Sequence, residues 1–241
     1  MKVLVVGGSG ATGSLLVQDL LNNDFKIKVI VRDKSVFLTK VKESIDLEII
    51  EKDILDINEK ELISYIDDCN STACCLGHTL SLKGIFGKPY DLVFQSVKNL
   101  CEAVIKSKKE NIKFILMNTS GNTNKDINEQ VSISQKCVVS LIRFLVPPHA
   151  DNENAADYLR VEIGQESRAI KWVVVRPDSL INEDNVSSYE NFSSPTRSAI
   201  FDAGKTSRIN VANFMSRLVR EEKLFAKWQG QMPLIYNKEQ I

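Results

Sequence analysis

The sequence predicts a doubly wound α/β fold, in which a mainly parallel sheet carries helices on both faces. Short runs that are apolar throughout, such as residues 3–6 and 27–31, are typical of strands buried on both sides, as in a parallel sheet. These runs alternate with amphipathic stretches of helical length up to about residue 176. The alternation indicates right-handed strand–helix–strand crossovers, which place helices on both faces of the sheet.

Each element is predicted from its own pattern. In chain order, the predicted strands are residues 3–6, 27–31, 47–50, 72–76, 114–117 and 172–175. The predicted helices are residues 11–21, 59–66, 90–106, 131–145 and 155–163. The helix over 90–106 is the best defined, because apolar residues recur at helical spacing at Val93, Val97, Leu100 and Val104.

Prolines mark the ends of several elements. We expect Pro89 to open the helix over 90–106, and Pro147 with Pro148 to end the helix before them. We expect Pro177 to end the strand that precedes it.

The whole chain, residues 1–241, is predicted to be one domain. Residues 1–176 form its core, because the remaining residues, 177–241, are too few for an independent domain. The elements predicted in that C-terminal region are a polar loop over 179–206, a helix over 211–224 and a last strand over 232–236. Since ligands bind outside the carboxyl ends of parallel strands, we expect this region to form a small lid over the substrate.

Composition narrows the class of protein. The 241 residues are 43% hydrophobic, enough for a buried core, and 31 Lys and Arg balance 31 Asp and Glu. The resulting net charge of zero argues against a nucleic-acid binder that relies on bulk positive charge. No apolar run approaches the roughly 18 residues of a membrane span, and a strand-like start leaves no room for a leader. We expect a cytoplasmic monomer or homodimer whose partner is a small molecule.

The cysteines and histidines predict no metal site. The five cysteines include no CxxC pair, and the chain has two histidines. The cysteines are expected to be buried small apolar residues.

The strongest motif is a glycine-rich loop between the first strand and the first helix. Its residues are Gly7, Gly8, Ser9, Gly10, Ala11, Thr12 and Gly13. In a loop of this spacing one glycine makes the tight turn, one lets the backbone approach a pyrophosphate, and Gly13 lets the helix pack close to the sheet. The free N–H groups at the helix start then face the phosphates. The loop therefore predicts a dinucleotide-binding site.

The residues after the second strand indicate which dinucleotide is preferred. A carboxylate there accepts hydrogen bonds from the ribose hydroxyls of NAD(H), whereas an arginine accommodates the 2′-phosphate of NADP(H). Arg32 comes first after the strand, so we favour NADP(H). Asp33 follows, and NAD(H) is the alternative if the strand runs one residue further.

Six segments carry a family resemblance over about three quarters of the chain. They are GGSGATG (7–13), VRDK (31–34), EKDILD (51–56), LGH (76–78), FILMNTSG (114–121) and VVVRPDSL (173–180). Together they resemble the atypical short-chain dehydrogenase/reductases, which are Rossmann-fold proteins. The branch they resemble most is that of the NmrA-like and flavin-reductase-like NAD(P)-binding proteins.

This resemblance implies further cofactor contacts. From the adenine end to the nicotinamide end they are Asp53, Ile54, Leu76, Gly77, His78, Asn118, Thr119 and Pro177. Asp53 and Ile54 are implied to flank the adenine, and Pro177 to cover the nicotinamide carboxamide.

Hydride-transferring members of this superfamily have a serine after strand five and a Tyr-x-x-x-Lys pair on the next long helix. Ser120 can take the role of that serine, or Thr119 if the turn is shifted. The pair itself is missing, because Tyr158 is followed by Glu162 in place of lysine. A carboxylate raises a tyrosine pKa, whereas the lysine would lower it.

His149 is the candidate to replace the missing tyrosine. Counting back from strand six places the positions of the family's Tyr and Lys near Pro148 or His149 and near Asn152 or Glu153. Histidine titrates near neutral pH, so His149 is a candidate proton donor. The alternative is that His149 is simply a turn or helix-start residue.

Three functions are consistent with these patterns. The first is an NADPH-dependent oxidoreductase of a small-molecule substrate that lacks the Tyr-x-x-x-Lys pair. The second is a non-catalytic binding module that senses NADP(H). The third is a structural or interaction protein with a vestigial glycine loop.

Overall fold

The computed structural model describes residues 1–78, 87–130, 132, 134, 138, 139, 141 and 146–238. The strands in these ranges are β1 Lys2–Val6, β2 Lys26–Val31, β3 Leu47–Glu51, β4 Ser71–Cys74, β5 Ile112–Met117, β6 Ile170–Pro177, β7 Ser179–Ile181, β8 Tyr189–Phe192, β9 Lys205–Ser207 and β10 Leu234–Asn237. The helices are α1 Ala11–Leu21, α2 Lys34–Leu38, α3 Glu59–Ile66, α4 Leu92–Lys106, α5 Pro147–Asp157, α6 Arg208–Arg220 and α7 Glu222–Trp228. A 3₁₀ turn spans Ile54–Asp56, and a π-helical turn spans Tyr158–Ile163.

Eight strands form one sheet in the order β3-β2-β1-β4-β5-β6-β10-β8. All pairs from β3 to β10 are parallel, and β8 pairs antiparallel with β10. The chain moves outwards from β1 through β2 and β3, then returns to β4 and continues on the other side. This is the doubly wound Rossmann arrangement, so the predicted fold class is confirmed.

Helices cover both faces of the sheet. On one face α3, α4 and α5 pack against strand residues such as Leu4. On the other face α1, α6 and α7 pack against strand residues such as Val5. Successive strand residues therefore meet opposite helical layers, which is why the strands are apolar throughout.

The predicted elements of the first half are present, and the short helix α2 and the 3₁₀ turn were not predicted. Helices α1 and α3 have the predicted bounds 11–21 and 59–66. The Asn58 side chain caps α3 by accepting a hydrogen bond from the Glu61 N–H at 3.0 Å. The helix predicted over 131–145 falls largely outside the described residues.

Pro147 and Pro148 occupy the first positions of α5. The helix that they are predicted to end lies largely outside the described residues. Proline suits the first turn because the N–H groups there have no acceptor within the helix. The predicted helix over 155–163 is the second half of this longer segment, whose last turn is π-helical. Helix α4 begins at Leu92, slightly after the predicted start next to Pro89.

The C-terminal region contains more regular structure than predicted. Residues 179–206, expected to be a loop, include β7, β8 and β9, and β7 pairs with β9 in a separate parallel sheet. The helix predicted over 211–224 is two helices, α6 and α7. The predicted last strand is confirmed as β10, which joins the main sheet beside β6.

Arg176 fastens this region to the core. The side chains of Arg176 and Glu129 are fully buried, and Nη2 of the arginine lies 2.5 Å from Oε1 of the glutamate. Nε of Arg176 donates to the backbone oxygen of Met232 at 2.6 Å. One arginine therefore joins β6, the segment after β5 and the approach to β10.

The described residues also bear on the membrane and metal predictions. None of their helices is long and apolar enough to span a membrane. No group of three or more His, Cys, Asp or Glu among them is placed to hold a metal ion. Cys69, Cys74 and Cys101 are buried, and burial raises the pKa of Cys74 to about 12, so this thiol stays protonated at neutral pH.

Candidate functional site

A cavity of about 360 Å³ opens at the carboxyl ends of β1 to β4, where the order of the sheet reverses. Nine residues predicted to contact a cofactor form part of its walls. They are Gly7, Ser9, Gly10, Ala11, Arg32, Asp53, Ile54, Leu76 and Gly77. The carboxyl ends of four strands therefore bring together segments that are far apart in the sequence.

The glycines of the loop have distinct roles. Gly7 has φ +81°, and a Cβ there would lie 2.6 Å from the carbonyl carbon of Cys75. A Cβ on Gly13 would lie 2.2 Å from the carbonyl oxygen of Gly7. Glycine is thus required at Gly7 for the turn and at Gly13 for close helix packing. The other three residues of the loop, Gly8, Thr12 and Gly13, do not line the cavity.

The first turn of α1 supplies hydrogen-bond donors to the cavity. Gly10 caps the helix with extended backbone, and Ser9, Gly10 and Ala11 are on the wall. N–H groups in the first turn of a helix have no acceptor within it, and the helix dipole adds positive potential there. This wall can therefore hold a phosphate or pyrophosphate group.

Three cations line the same cavity: Arg32, Lys40 and Lys52. Nζ of Lys40 donates to the carbonyl oxygen of Ser9 at 2.6 Å, and Nζ of Lys52 pairs with Oε1 of Glu61 at 2.6 Å. The sequence predicted Arg32 alone. Lys52 could have been found, because it directly follows β3, the neighbour of β2 in the sheet. Lys40 follows α2 and gives no sequence signal of this kind.

Asp33, the alternative ribose ligand, faces its own helix. Its Oδ1 accepts hydrogen bonds from Oγ of Ser35 at 2.6 Å and from the N–H of Val36 at 2.9 Å. These bonds, the one from Ser35 first, lower the pKa of Asp33, so it is an ionised N-cap. Strand β2 ends at Val31, so it does not run the extra residue that the NAD(H) alternative required.

His78 does not line the cavity, although Leu76 and Gly77 do. Its Nε2 lies 2.7 Å from Oδ2 of Asp151, and its side chain is buried. The contact of His78 with a cofactor stays a prediction. The ring is held by a carboxylate from α5.

Asp151 also caps α4 from outside that helix. Its two carboxylate oxygens accept hydrogen bonds from the N–H groups of Val93 and Phe94, both at 2.8 Å. Asp91, the residue at the N-cap position of α4, makes no capping bond. This contact is not predictable from the sequence, because the cap comes from a residue that is distant along the chain.

Ser120 and Pro177 meet at the carboxyl ends of β5 and β6. The N–H of Ser120 donates to the carbonyl oxygen of Pro177 at 2.8 Å. The Ser120 hydroxyl donates to Oδ1 of Asp178 at 3.0 Å, and burial raises the pKa of Asp178. Gly204 N–H donates to the other oxygen of Asp178 at 2.9 Å. The serine hydroxyl thus faces the C-terminal region.

Thr119 lies beside His149, with Gly121 between them. A Cβ on Gly121 would lie 3.1 Å from Cε1 of His149 and 3.7 Å from Oγ1 of Thr119. The small glycine leaves room for the imidazole ring. The Thr119 hydroxyl accepts a hydrogen bond from the Gly121 N–H at 3.2 Å, so Thr119 and His149 both lie near Gly121.

Helix α5 carries His149 and contacts the end of β5. The side-chain amide of Asn118 donates to the carbonyl oxygen of Asn152 at 2.8 Å. Nε2 of His149 lies 3.7 Å from Oε1 of Glu153, one turn further along the helix. His149 is thus the third residue of a helix, which agrees with the alternative that it is a helix-start residue.

Tyr158 is remote from this polar group. Its ring packs edge-on against that of Phe94 at 6.0 Å, on the surface between α5 and α4. Burial raises the pKa of Tyr158 to about 12. The phenol is therefore poorly suited to acid–base chemistry near neutral pH.

A second and larger cavity of about 720 Å³ lies in the C-terminal region. Its walls include Arg197, Lys205 and Lys238, and it shares no wall residue with the glycine-loop cavity. Its walls include neither the glycine loop nor the start of α1. Its size alone therefore does not make it the nucleotide site.

Comparison with known proteins agrees with this geometry. Residues 7–222 match the family described as NAD(P)H-binding. An uncharacterised chloroplastic protein of Arabidopsis thaliana is 33% identical over 76 residues. That match covers 32% of this chain and 27% of the plant protein, so the chain matches about a quarter of that relative's length.

Solved structures share the fold at low sequence identity. The oxidoreductase ylbE from Lactococcus lactis aligns with a TM-score of 0.69 and 18% identity, covering 99% of this chain and 92% of that one. A short-chain dehydrogenase/reductase from Veillonella parvula, in complex with NADP, aligns with a TM-score of 0.68 and 14% identity. That alignment covers 98% of this chain and 94% of the other.

Proposed function

The chain belongs to the NAD(P)H-binding family, and from this premise we propose that it is an NADP(H)-dependent oxidoreductase acting on a small molecule. The observation that carries the proposal is the cavity at the switch point of the sheet. The glycine loop, the start of α1 and three cations line it together. Donors for a pyrophosphate and charges for a further phosphate thus occur in one site.

The three cations support a preference for NADP(H) over NAD(H). Arg32, which follows β2, is expected beside the adenosine ribose, and Lys40 and Lys52 line the same cavity, so a 2′-phosphate there would pair with these cations. Oδ1 of Asp33 is engaged as a helix cap, which gives this carboxylate a structural role. Asp53 and Ile54 would flank the adenine, and Leu76 with Gly77 would pass beside the adenosine.

The group around Thr119 supports a catalytic role at the other end of the cofactor. The nicotinamide, when bound, supplies the hydride. The Thr119 hydroxyl would orient a substrate oxygen, and His149 would donate a proton to it. Asn118 holds this segment against α5 through its bond to Asn152. Ser120 remains a candidate for the orienting role through a change in its bond to Asp178.

A non-catalytic NADP(H) sensor is the second candidate. One observation favours it: the Tyr-x-x-x-Lys pair is absent, and the position of the lysine falls near Asn152 or Glu153, neither of which is a cation. Both candidates require dinucleotide binding. Oxidation of NADPH in the presence of quinone, flavin, aldehyde or ketone acceptors, lost in His149→Ala, would support the oxidoreductase over the sensor.

The decisive test of the proposal is binding at the glycine loop. Gly10 has φ −69°, and a Cβ there would meet only the carbonyl oxygen of Gly7, at 3.2 Å. Gly10→Leu should therefore leave the fold intact while its side chain fills the phosphate position. Calorimetry should detect NADPH binding to the unmodified protein and none to the variant, with thermal unfolding as the control for folding. No binding of NADPH or NADH to the unmodified protein would refute the proposal.

A further inference from the structure

The inner face of α5 carries two titratable side chains beside the end of β5. The side chains of His149 and Glu153 are 12% and 11% exposed, and Nε2 lies 3.7 Å from Oε1. A carboxylate this far from solvent is costly unless a positive or hydrogen-bonding group compensates it. The His149 imidazole, one helical turn away, is one such group within ion-pair distance.

The remaining edge of the imidazole faces the proposed reaction site. Cε1 and Nδ1 of His149 lie 3.1 and 3.8 Å from the point where a Cβ on Gly121 would be. Oγ1 of Thr119 lies 3.7 Å from the same point. The ring therefore stands between a carboxylate on one side and the end of β5 on the other.

Asp151, two residues before Glu153 on α5, contacts other groups. Asp151 is turned towards His78 and towards the N–H groups at the start of α4. Glu153 faces the His149 ring from its own helix, and Thr119 and Gly121 face it from the segment after β5. The two carboxylates thus serve different histidines.

We propose that Glu153 is the positioning residue of His149, and that the two replace the tyrosine and lysine of the resembled reductases. The replacement is chemically consistent at both positions. A phenol needs a cation nearby to give and take a proton near neutral pH, whereas an imidazolium is stabilised by an anion. For its role in turnover this inference rests on the proposed oxidoreductase function.

The proton transfer balances within this pair. His149 gives the proton of its Nδ1–H bond to the substrate oxygen, while the cofactor of the proposed function gives the hydride to the substrate carbon. The neutral imidazole keeps the proton on Nε2, the nitrogen that lies 3.7 Å from Oε1 of Glu153, and regains the other from solvent. Glu153 orients the ring and takes no proton itself.

The test uses the fact that the chain has two histidines, His78 and His149. Their imidazole signals can be followed by NMR during a pH titration, and His149→Asn assigns them by loss of one signal. Glu153→Gln should lower the titration midpoint of His149 by about one pH unit, because it removes a neighbouring negative charge. The midpoint of His78 should not move, and it serves as the internal control.

Two further variants keep the result interpretable. Glu162→Gln, an exposed carboxylate on the same helical segment, should leave both midpoints unchanged. Glu153→Asp keeps the charge and should restore part of the shift, which also covers the case in which Glu153→Gln does not fold. A folded Glu153→Gln protein with an unmoved His149 midpoint overturns the pairing.

The proposed effect of Glu153 on turnover is measured separately, by steady-state kinetics. With an acceptor that the protein reduces, Glu153→Gln should lower kcat about ten- to a hundredfold and leave the KM for NADPH unchanged. A shifted midpoint with an unchanged kcat overturns the positioning role. Absence of dinucleotide binding to the unmodified protein would instead be a failure of the proposed function, and the titration would still report on the pair.

Discussion

Arg32, Lys40 and Lys52 line the glycine-loop cavity together although they follow three different elements. Arg32 was predictable, because the residue after β2 has a known relation to the ribose. Lys40 follows the short helix α2, and its contact with the Ser9 carbonyl depends on the orientation of that helix. Single residues at strand ends are therefore predictable from the sequence, whereas those after variable connections are not.

Replacing Arg32 by alanine tests the cofactor preference. A charge-assisted contact to a phosphate is worth on the order of 1.5–3 kcal/mol, so NADPH affinity should fall about ten- to a hundredfold. NADH affinity should change little, because NADH has no 2′-phosphate. Calorimetric titration with both dinucleotides measures the two effects.

Lys34→Ala is the matched control for Arg32→Ala, since Lys34 is nearby in sequence but is not on the cavity wall. It should leave both affinities unchanged. Equal losses for NADPH and NADH in Arg32→Ala would mean that Arg32 stacks on the adenine and does not read the phosphate.

At the scale of elements, α4 depends on a cap that comes from another helix. Asp151 accepts two hydrogen bonds from the start of α4 and holds His78. Asp151→Ala should lower the free energy of unfolding by about 2–4 kcal/mol, because it leaves buried donors without acceptors. Urea unfolding followed by circular dichroism measures the loss.

Asp91→Ala is the control for this prediction. Asp91 occupies the N-cap position of α4, is exposed and makes no capping bond, so its loss should cost less than about 0.5 kcal/mol. If the two variants were equally stable, the cap from Asp151 would contribute nothing.

Asp68 links strands β1 and β2 through one lysine in each. Its carboxylate pairs with Nζ of Lys2 and, at 2.8 Å, with Nζ of Lys28. Burial alone would raise the pKa of Asp68, but hydrogen bonds from the two lysines outweigh it and lower the pKa to about 2. The folded pKa is thus below that of the unfolded chain, so the stabilisation exists above about pH 4 and is lost as pH falls towards 2.

This pH effect is small, because the Asp68 side chain is 49% exposed and water screens its charge. We expect a loss of about 1 kcal/mol in the free energy of unfolding between pH 5 and pH 2 relative to Asp68→Asn. Parallel denaturant curves at several pH values measure this difference. A constant difference across that range would contradict the assignment.

The sequence predicts some elements far better than others, for physical reasons. Helices α1 and α3 have strong apolar periodicity or a side-chain cap, so their bounds match the structure. Strands β7, β8 and β9 are three to four residues long, partly exposed and paired with distant segments. Without a continuous apolar run such strands resemble loops in the sequence.

At the scale of the whole molecule, the core and the C-terminal region form one structure through β6 and β10. The doubly wound order was predictable because each crossover joins two apolar strands. The position of β10 beside β6, with β8 beyond it, was not, since that pairing depends on contacts between residues far apart in sequence. Arg176 makes several of these contacts at once.

Breaking the Arg176–Glu129 pair should weaken the whole domain. Arg176→Met leaves Glu129 as a fully buried carboxylate without its cation, and such changes cost about 3–5 kcal/mol. Arg160→Met is the control, because Arg160 pairs with Asp126 and Asp157 near the surface and should cost less than about 1 kcal/mol. Both losses can be measured by urea unfolding, with tryptophan fluorescence reporting on Trp172 in β6 and Trp228 in α7. Replacing Glu129 by leucine as well should recover part of the loss, since the uncompensated charge is then gone. If the double variant were no more stable than Arg176→Met, the loss would come from the other bonds of Arg176, to Asn122 and Met232, and not from the buried charge.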